Sequence, residues 1–559
     1  MRILLVTEKA NATSDQRDGG ARLVATLRRA FGGDIDVLQF GGLTSNHDLW
    51  QVAYPHNGPN RFERRLANAD FIAEHVRARL ADHTHVIFVH VSMQFGLTDR
   101  PLHGPQVWTM PMFLTPSYVA SGESVPTAYT DRERLVLHTT DHILTPSRLE
   151  RLQLIESYGV EPQRIRVVPR GVDKLAAHAR VRKLQGAFLL CSIGSIKPQK
   201  NTLGLVRLFA AVRQRIPGAK LRIIGPVQDL AYGELVHREL ATYGIADHVE
   251  FTGYIAPCDL ASATADCQMH VSASNCETFG RAIFESLALG LPNVVRRHHN
   301  AALEHLAGRP YVRSFDTESE AVEAICAMLP SLELLSEIAA EIGDLFDDDL
   351  LATRLTAELA GDASLAVSDF DGTLFHKGEP DRTRRSVAAF MGYEKRVVCS
   401  ARALPNLLAT MNEIGASADF ILALGGAIVA TGHGDVLHHV ALDQASIERV
   451  QQAMPSATPH IDGGHVSQFS IRQENLVPLE GLRVETYQGT SYIASWTASK
   501  LHATVWLLRQ LGWRGRVRAF GDGRYDEELL QYFDGTRITP QPSSAGHARQ
   551  ANEVTHDGF

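Results

Sequence analysis
The chain has 559 residues, 44% hydrophobic and 21% charged, with a formal net charge of −8. That length exceeds a single hydrophobic core and predicts three or so globular domains. The acidic balance argues against a general nucleic-acid surface, and no stretch approaches the ~20 apolar residues of a membrane span.

Residues 1–7 form a short strand-like run without the apolar core and cleavage site of a secretion signal. The six cysteines (Cys191, Cys258, Cys267, Cys276, Cys326 and Cys399) contain no Cys-x-x-Cys pair. They read as reduced buried thiols of a cytoplasmic protein rather than disulfides or zinc ligands. There is no repeat of solenoid length and no low-complexity tract.

In chain order, residues 3–7 predict a strand, a polar loop runs to Gly19-Gly20, and residues 21–30 carry helical spacing. Further strands are expected at 86–90, 142–145 and 165–168. Alternating strands and helices predict an α/β fold with a parallel, doubly wound sheet over residues 1–175. The glycine pair is either a plain turn or a point of close backbone approach to phosphate. With no Gly-x-Gly-x-x-Gly, no dinucleotide cofactor is expected. Residues 110–126, with three prolines and one glycine, read as a long irregular, functional segment. Arg61, Arg64 and Arg65 on one amphipathic stretch, and Arg100, Arg132 and Arg134 elsewhere, are solvated faces or ligands of an acceptor phosphate.

Residues 176–345 predict a second such domain. A strand over 188–194 runs into a loop carrying Lys197 and Lys200, beside a helix beginning near Thr202; that placement suits a polyanion. Strands follow at 221–225 and 249–253. Then Glu277-Thr-Phe-Gly precedes Glu285, with seven residues between the glutamates, and Gly290-Leu-Pro292 closes the segment. This stretch resembles the signature of retaining, family-4-type glycosyltransferases. The resemblance extends over residues 1–360 and includes Gly19-Gly20, the Lys200 loop and Pro169-Arg-Gly-Val-Asp173.

The resemblance implies a GT-B pair of Rossmann-like domains with a nucleotide-sugar site between them and no metal for transfer. Glu277 would lie in the loop before a helix, with the amides of Thr278, Phe279 and Gly280 facing a diphosphate. Glu285 would accept from ribose hydroxyls; Gly20 and Lys200 complete the candidate donor set. The chain has Ser195 where the family carries an arginine, with Lys197 as a substitute. It reads Thr109-Met-Pro111 where many members have Thr-x-His, which makes His90 a candidate replacement. Residues 346–362 predict a closing helix and linker.

Residues 363–559 predict a third domain. An apolar strand ends in Asp369-Phe-Asp371-Gly-Thr373, at the sheet edge where open α/β folds place their chemistry. In order follow a strand ending at Ser400, a helix opened by Ser499-Lys500, and a strand ending at Asp522 with Asp526 beyond. Together these resemble the motifs of haloacid-dehalogenase-superfamily phosphatases. By that resemblance Asp369 is the nucleophile, Asp371 the acid/base, and Ser400, Thr373 and Lys500 the phosphoryl ligands. Mg²⁺ would sit between Asp369, the Asp371 carbonyl and Asp522, with Asp526 orienting Lys500. Tyr525 stands where relatives commonly have Asn. Only 28 residues separate Asp371 from Ser400, against 99 between Ser400 and Lys500, so an α+β cap of the C2 type is expected at about 431–495.

The expectation is a bifunctional enzyme that passes a sugar from a nucleotide-sugar donor to a phosphorylated small-molecule acceptor with retention and then removes the phosphate. The alternatives are a lipid or polysaccharide acceptor with an independent phosphatase, and a third domain that binds without turnover.

Overall fold
The computed structural model describes residues 1–8, 19–41, 50–172, 175, 188–328, 332–360, 364–473, 476, 479, 481–487 and 489–539. It divides into two compact units, Met1–Thr356 and Ala357–Phe559.

The first unit holds two sheets. In the first sheet, strands β1 (Ile3–Thr7), β2 (Ile35–Phe40), β3 (Trp50–Val52), β4 (His85–Val89), β5 (Gln106–Met110), β6 (His142–Thr145) and β7 (Ile165–Val167) lie in the order β3-β2-β1-β4-β5-β6-β7. All their pairings are parallel. In the second sheet, β8 (Leu189–Ile193), β9 (Lys220–Ile224), β10 (Val249–Gly253), β11 (Met269–Ser272), β12 (Asn293–Arg296) and β13 (Val312–Phe315) lie in the order β10-β9-β8-β11-β12-β13. The strand order reverses beside β1 and beside β8, and such switch points open crevices at the strands' carboxyl ends.

The reading of the sequence missed β2, β3 and β5 in the first sheet and β11, β12 and β13 in the second. β3 is a three-residue edge strand, and β5 lies between Pro105 and Pro111, punctuation that reads as loop. Gly19-Gly20 does not form a separate turn but opens the helix Gly19–Phe31. Residues 110–126 are not wholly irregular: they contain the helix Thr115–Ala120, with Pro116 in its first turn, where a missing N–H costs nothing. Asp173 lies outside the described residues.

Long-range contacts tie the two sheets into one body. The Glu304 carboxylate accepts from the N–H groups of Arg148 (2.9 Å) and Leu149 (2.5 Å), placing an anion at the N-terminus of the helix Arg148–Tyr158. Val172 donates its N–H to the Phe346 carbonyl at 2.7 Å, and the Phe346 ring packs 4.4 Å from Phe284. Arg29 pairs with Asp348 at 2.9 Å, so the helix Asp348–Ala360 returns to the first lobe.

The second unit is built on β14 (Ser364–Asp369), β15 (Lys395–Cys399), β16 (Phe420–Ala423), β17 (Ile428–Thr431), β18 (Val436–His439), β19 (Thr458–Asp462), β20 (His465–Ile471), β21 (Leu482–Tyr487), β22 (Thr490–Ser495), β23 (Arg516–Gly521) and β24 (Thr536–Arg537). The main sheet runs β18-β17-β16-β15-β14-β23-β24, and β19-β20-β22-β21 form a separate sheet. The latter is antiparallel and packs Phe469, Ile493 and Leu482 against Val450 of the helix Gln444–Ala453. β18 falls inside the 431–495 range expected for a cap yet belongs to the main sheet. The antiparallel hairpin β17-β18 extends the main sheet, because Ile428, Val429 and Ala430 are buried in it.

Gly426, between β16 and β17, has φ +101°, and a Cβ there would overlap the carbonyl of Ser499, the N-cap of the helix Lys500–Gln510. Gly426→Ala is expected to destabilise the second unit by about 1–3 kcal/mol, read as a lower urea midpoint for the full chain.

Candidate active sites
A cavity of about 690 Å³ lies between the two sheets of the first unit. It collects residues from strand carboxyl ends: Glu8 after β1, His90 after β4, Met112 beyond β5, Gly194 after β8 and Glu277 beyond β11. Seven cationic side chains line it (Arg22, Arg61, Arg65, Arg170, Lys197, Lys200 and Arg281) against five carboxylates (Glu8, Glu123, Asp229, Glu277 and Glu285). The excess of positive charge suits an anionic ligand.

On the side of the second sheet, Lys200 Nζ donates to Glu277 Oε1 at 2.6 Å. Both groups are only partly accessible, at 22% and 9% of their side-chain surface. The helix Arg281–Ala288 begins three residues later than expected, with Gly280 as its N-cap. The amides facing the cavity thus belong to the loop and cap, and the N–H groups of Thr278, Phe279 and Gly280 have no partner among the described residues. Phe279 is buried and stacked on Phe284 at 4.5 Å, which anchors that loop. Glu285, two turns further on, accepts from Arg22 of the first lobe. Ser195 and Lys197 also line the cavity. Gly20 lies in the first turn of the helix that carries Arg22.

On the opposite wall, His90 has φ +91°, a strained value for a residue with a Cβ and characteristic of functional positions. Its Nδ1 accepts from the Ser92 N–H at 3.2 Å. The neutral ring then carries its proton on Nε2, which lies 3.3 Å from the Tyr118 hydroxyl. Arg65 is buried, pairs with Glu8 at 3.0 Å and donates to the hydroxyls of Tyr118 and Tyr129. Burial alone would raise the Glu8 pKa; the Arg65 charge and the Tyr54 hydroxyl outweigh it and hold the carboxyl below its usual range. Arg61 pairs with Glu123. Of the remaining arginines considered, Arg64 borders an adjoining cavity. Arg132 pairs with Asp99 and Arg134 stacks on Tyr158; neither these two nor Arg100 lines the cleft.

In the second unit, β14 lies between β15 and β23 and carries Asp369 at its carboxyl end. Lys500 Nζ donates to Asp369 Oδ1 at 2.5 Å and to Asp526 Oδ1 at 2.6 Å, and all three side chains are buried. Thr373 Oγ1 lies 3.5 Å from Asp369 Oδ2, and buried Ser400 follows β15, the strand beside Asp369. Asp371 turns elsewhere: its two oxygens accept from Arg402 at 2.9 and 2.5 Å, and that guanidinium lies over the Phe370 and Phe375 rings. The Tyr525 ring covers Lys500 Nζ at 5.2 Å.

Oxygens of Asp369, Asp522 and Asp526 all lie within 4.8 Å of one another, three hard donors that fit a small divalent cation such as Mg²⁺. A Cβ at Gly372 (φ +85°) would overlap the Asp522 carboxylate, so the glycine makes room for this cluster. Of the groups expected to hold the cation, the Asp369 and Asp522 carboxylates lie together with Asp526 as a further carboxylate beside them, while Arg402 holds the Asp371 side chain. Burial, then the neighbouring carboxylates, push Asp369 up to about 8 and Asp522 up to about 6, against the opposing pull of Lys500.

Residues 18–174 match the profile of Glycosyltransferase Family 4, and residues 173–307 that of Glycosyl transferases group 1. Residues 18–307 thus carry a family-4-type GT-B glycosyltransferase module. The alpha-monoglucosyldiacylglycerol synthase of Streptococcus pneumoniae is 27% identical over 46% of this chain and 64% of its own length. The D-inositol 3-phosphate glycosyltransferase of Nocardia farcinica is 27% identical over 43% and 58%. The chain thus spans a little under two thirds of these curated relatives. Sucrose-phosphate synthase from Thermosynechococcus elongatus shares the fold, with TM-score 0.55 and 17% identity over 64% of this chain and 98% of that one. No helix among the described residues is long and apolar enough to cross a membrane.

Glu8 and Arg22 of the first unit, and Arg402 of the second, were not singled out from the sequence. Arg402 stands two residues after Ser400, and that proximity was the one available signal.

Because Asp522 titrates higher in the folded state than the usual carboxylate value, stability falls as pH rises from about 4 to about 6. Without divalent cations, Asp522→Asn is expected to gain on wild type across that window by roughly 1 kcal/mol, partial exposure screening the rest. Thermal unfolding of the full chain against pH measures it; parallel curves would show that Asp522 is not under charge strain.

Proposed function
We propose that the chain is a bifunctional enzyme that transfers a sugar from a nucleotide-sugar donor to a phosphorylated acceptor, with retention, and then hydrolyses the phosphate. The transferase reading rests on the cleft: the free amides of residues 278–280, with Lys200 and Lys197, would neutralise the leaving diphosphate without a metal. Glu277 and Glu285 would bind sugar and ribose hydroxyls once released from Lys200 and Arg22. Arg61 and Arg65 are the candidate ligands of the acceptor phosphate, a class named in the Nocardia relative. The Streptococcus relative's name favours a second reading, a lipid acceptor.

The phosphatase reading is carried by one observation, the convergence of Asp369, Lys500, Asp522 and Asp526 from three separate segments. In this reading the second unit is a haloacid-dehalogenase-like domain with a C2-type cap. An Asp369 oxygen attacks phosphorus and the ester P–O bond breaks. Asp371, released from Arg402, gives the leaving oxygen its proton and later takes one from the water that cleaves the aspartyl phosphate. Lys500, Thr373 and Ser400 hold the phosphoryl oxygens. Mg²⁺ held by Asp369, Asp522 and Asp526 would supply neutralisation of phosphoryl charge.

Mass spectrometry of products from pooled nucleotide sugars and sugar phosphates tests the coupling. A free glycoside is expected with Mg²⁺, and its phosphorylated precursor with a chelator or in Asp369→Asn; absence of that precursor overturns the coupled reading. Glu277→Ala is expected to lower transfer kcat/KM by roughly 10²-fold while phosphate release from a supplied sugar phosphate is unchanged.

A further inference from the structure
Gln468 of β20 is fully buried, yet neither its amide oxygen nor its amide nitrogen has a hydrogen-bond partner among the described residues. Such an orphaned amide costs on the order of 1–3 kcal/mol, and buried polar groups are so rarely left unpaired that each exception calls for a reason.

Strand register shows which way this amide faces. Gln468 stands opposite His460 on β19 and Ala494 on β22, and the next row pairs Ser470 with Tyr492. Residues directly opposite one another share a sheet face. Phe469 points the other way, into the cap's own core against Val450 and Ile493. Ala494, on the Gln468 face, belongs instead to the main core cluster with Phe370 and Leu424. The Tyr492 ring lies 6.4 Å from Tyr525, whose ring covers Lys500 Nζ. The Gln468 face is thus the side of the cap turned toward the Asp369 centre.

We infer that Gln468 is a specificity-determining residue of the second unit, its amide hydrogen-bonding hydroxyl groups of a carbohydrate phosphomonoester held beneath the cap. The inference rests on the phosphatase reading above. An amide offers both donors and an acceptor, which matches vicinal hydroxyls, whereas a phosphate would call for cations. The Ser470 and Tyr492 hydroxyls on the same face extend the polar surface. A site built to bond a hydroxyl discriminates strongly against substrates without one.

The test compares Gln468→Met, close in shape but apolar, with wild type on glucose 6-phosphate, fructose 6-phosphate, sucrose 6-phosphate and p-nitrophenyl phosphate. Wild type is expected to prefer a sugar phosphate. The variant should raise KM for that sugar phosphate at least roughly tenfold, keep kcat/KM for p-nitrophenyl phosphate within about twofold, and melt no lower than wild type. If wild type hydrolyses p-nitrophenyl phosphate but prefers no sugar phosphate, or if the variant changes both substrates alike, the role of Gln468 is overturned and the phosphatase reading stands. Release of phosphate from none of the four by wild type overturns both.

Discussion
The constraint on which the rest depends is the burial of two interior strands, β1 and β14. Ile3, Leu4, Leu5 and Val6 of β1 and Leu365, Ala366 and Val367 of β14 are inaccessible to water, being flanked by strands on both edges and by side chains on both faces. A strand so enclosed has no room for chemistry along its length, so polar groups gather at its carboxyl end. Glu8 follows β1, Gly194 follows β8, and Asp369 ends β14. Both candidate centres are consequences of that arrangement.

The centres handle charge in opposite ways. The cleft of the first unit is rich in cations, and its glutamates are paired with Lys200 and Arg22. A polyanion entering there meets groups already desolvated and oriented. The crevice of the second unit has the reverse balance, three carboxylates around a single buried ammonium. Burial and mutual repulsion raise Asp369 and Asp522 together, an excess of negative charge that a hard cation would relieve.

How much of this was legible varied with the range of the interaction. The strand-to-helix segments bearing Glu277 and Lys200 carry glycines and prolines at their boundaries and could be read locally. Lys500 and Asp522 were located because, in order with Asp369 and Ser400, they resemble a known set of motifs at strand ends and a helix start. Arg22 meets Glu285 from 263 residues away, and Glu304 caps a helix 156 residues earlier; neither residue differs in sequence from an ordinary surface charge. β18 fell within the range assigned to a cap because strand propensity does not say which sheet a strand joins.

The sequence by itself determined the α/β class, the position of some of the strands and the order of the motif residues, since periodicity, punctuation and spacing are local properties; the two candidate centres were read from the resemblance of those motifs to known families. Only the tertiary structure decided which charges meet. It turned Asp371 to Arg402, brought Asp526 into the carboxylate cluster, crossed the cleft with Arg22 and left the Gln468 amide without a partner among the described residues. Pairing of that kind depends on where distant segments come to lie, and no spacing rule carries that information.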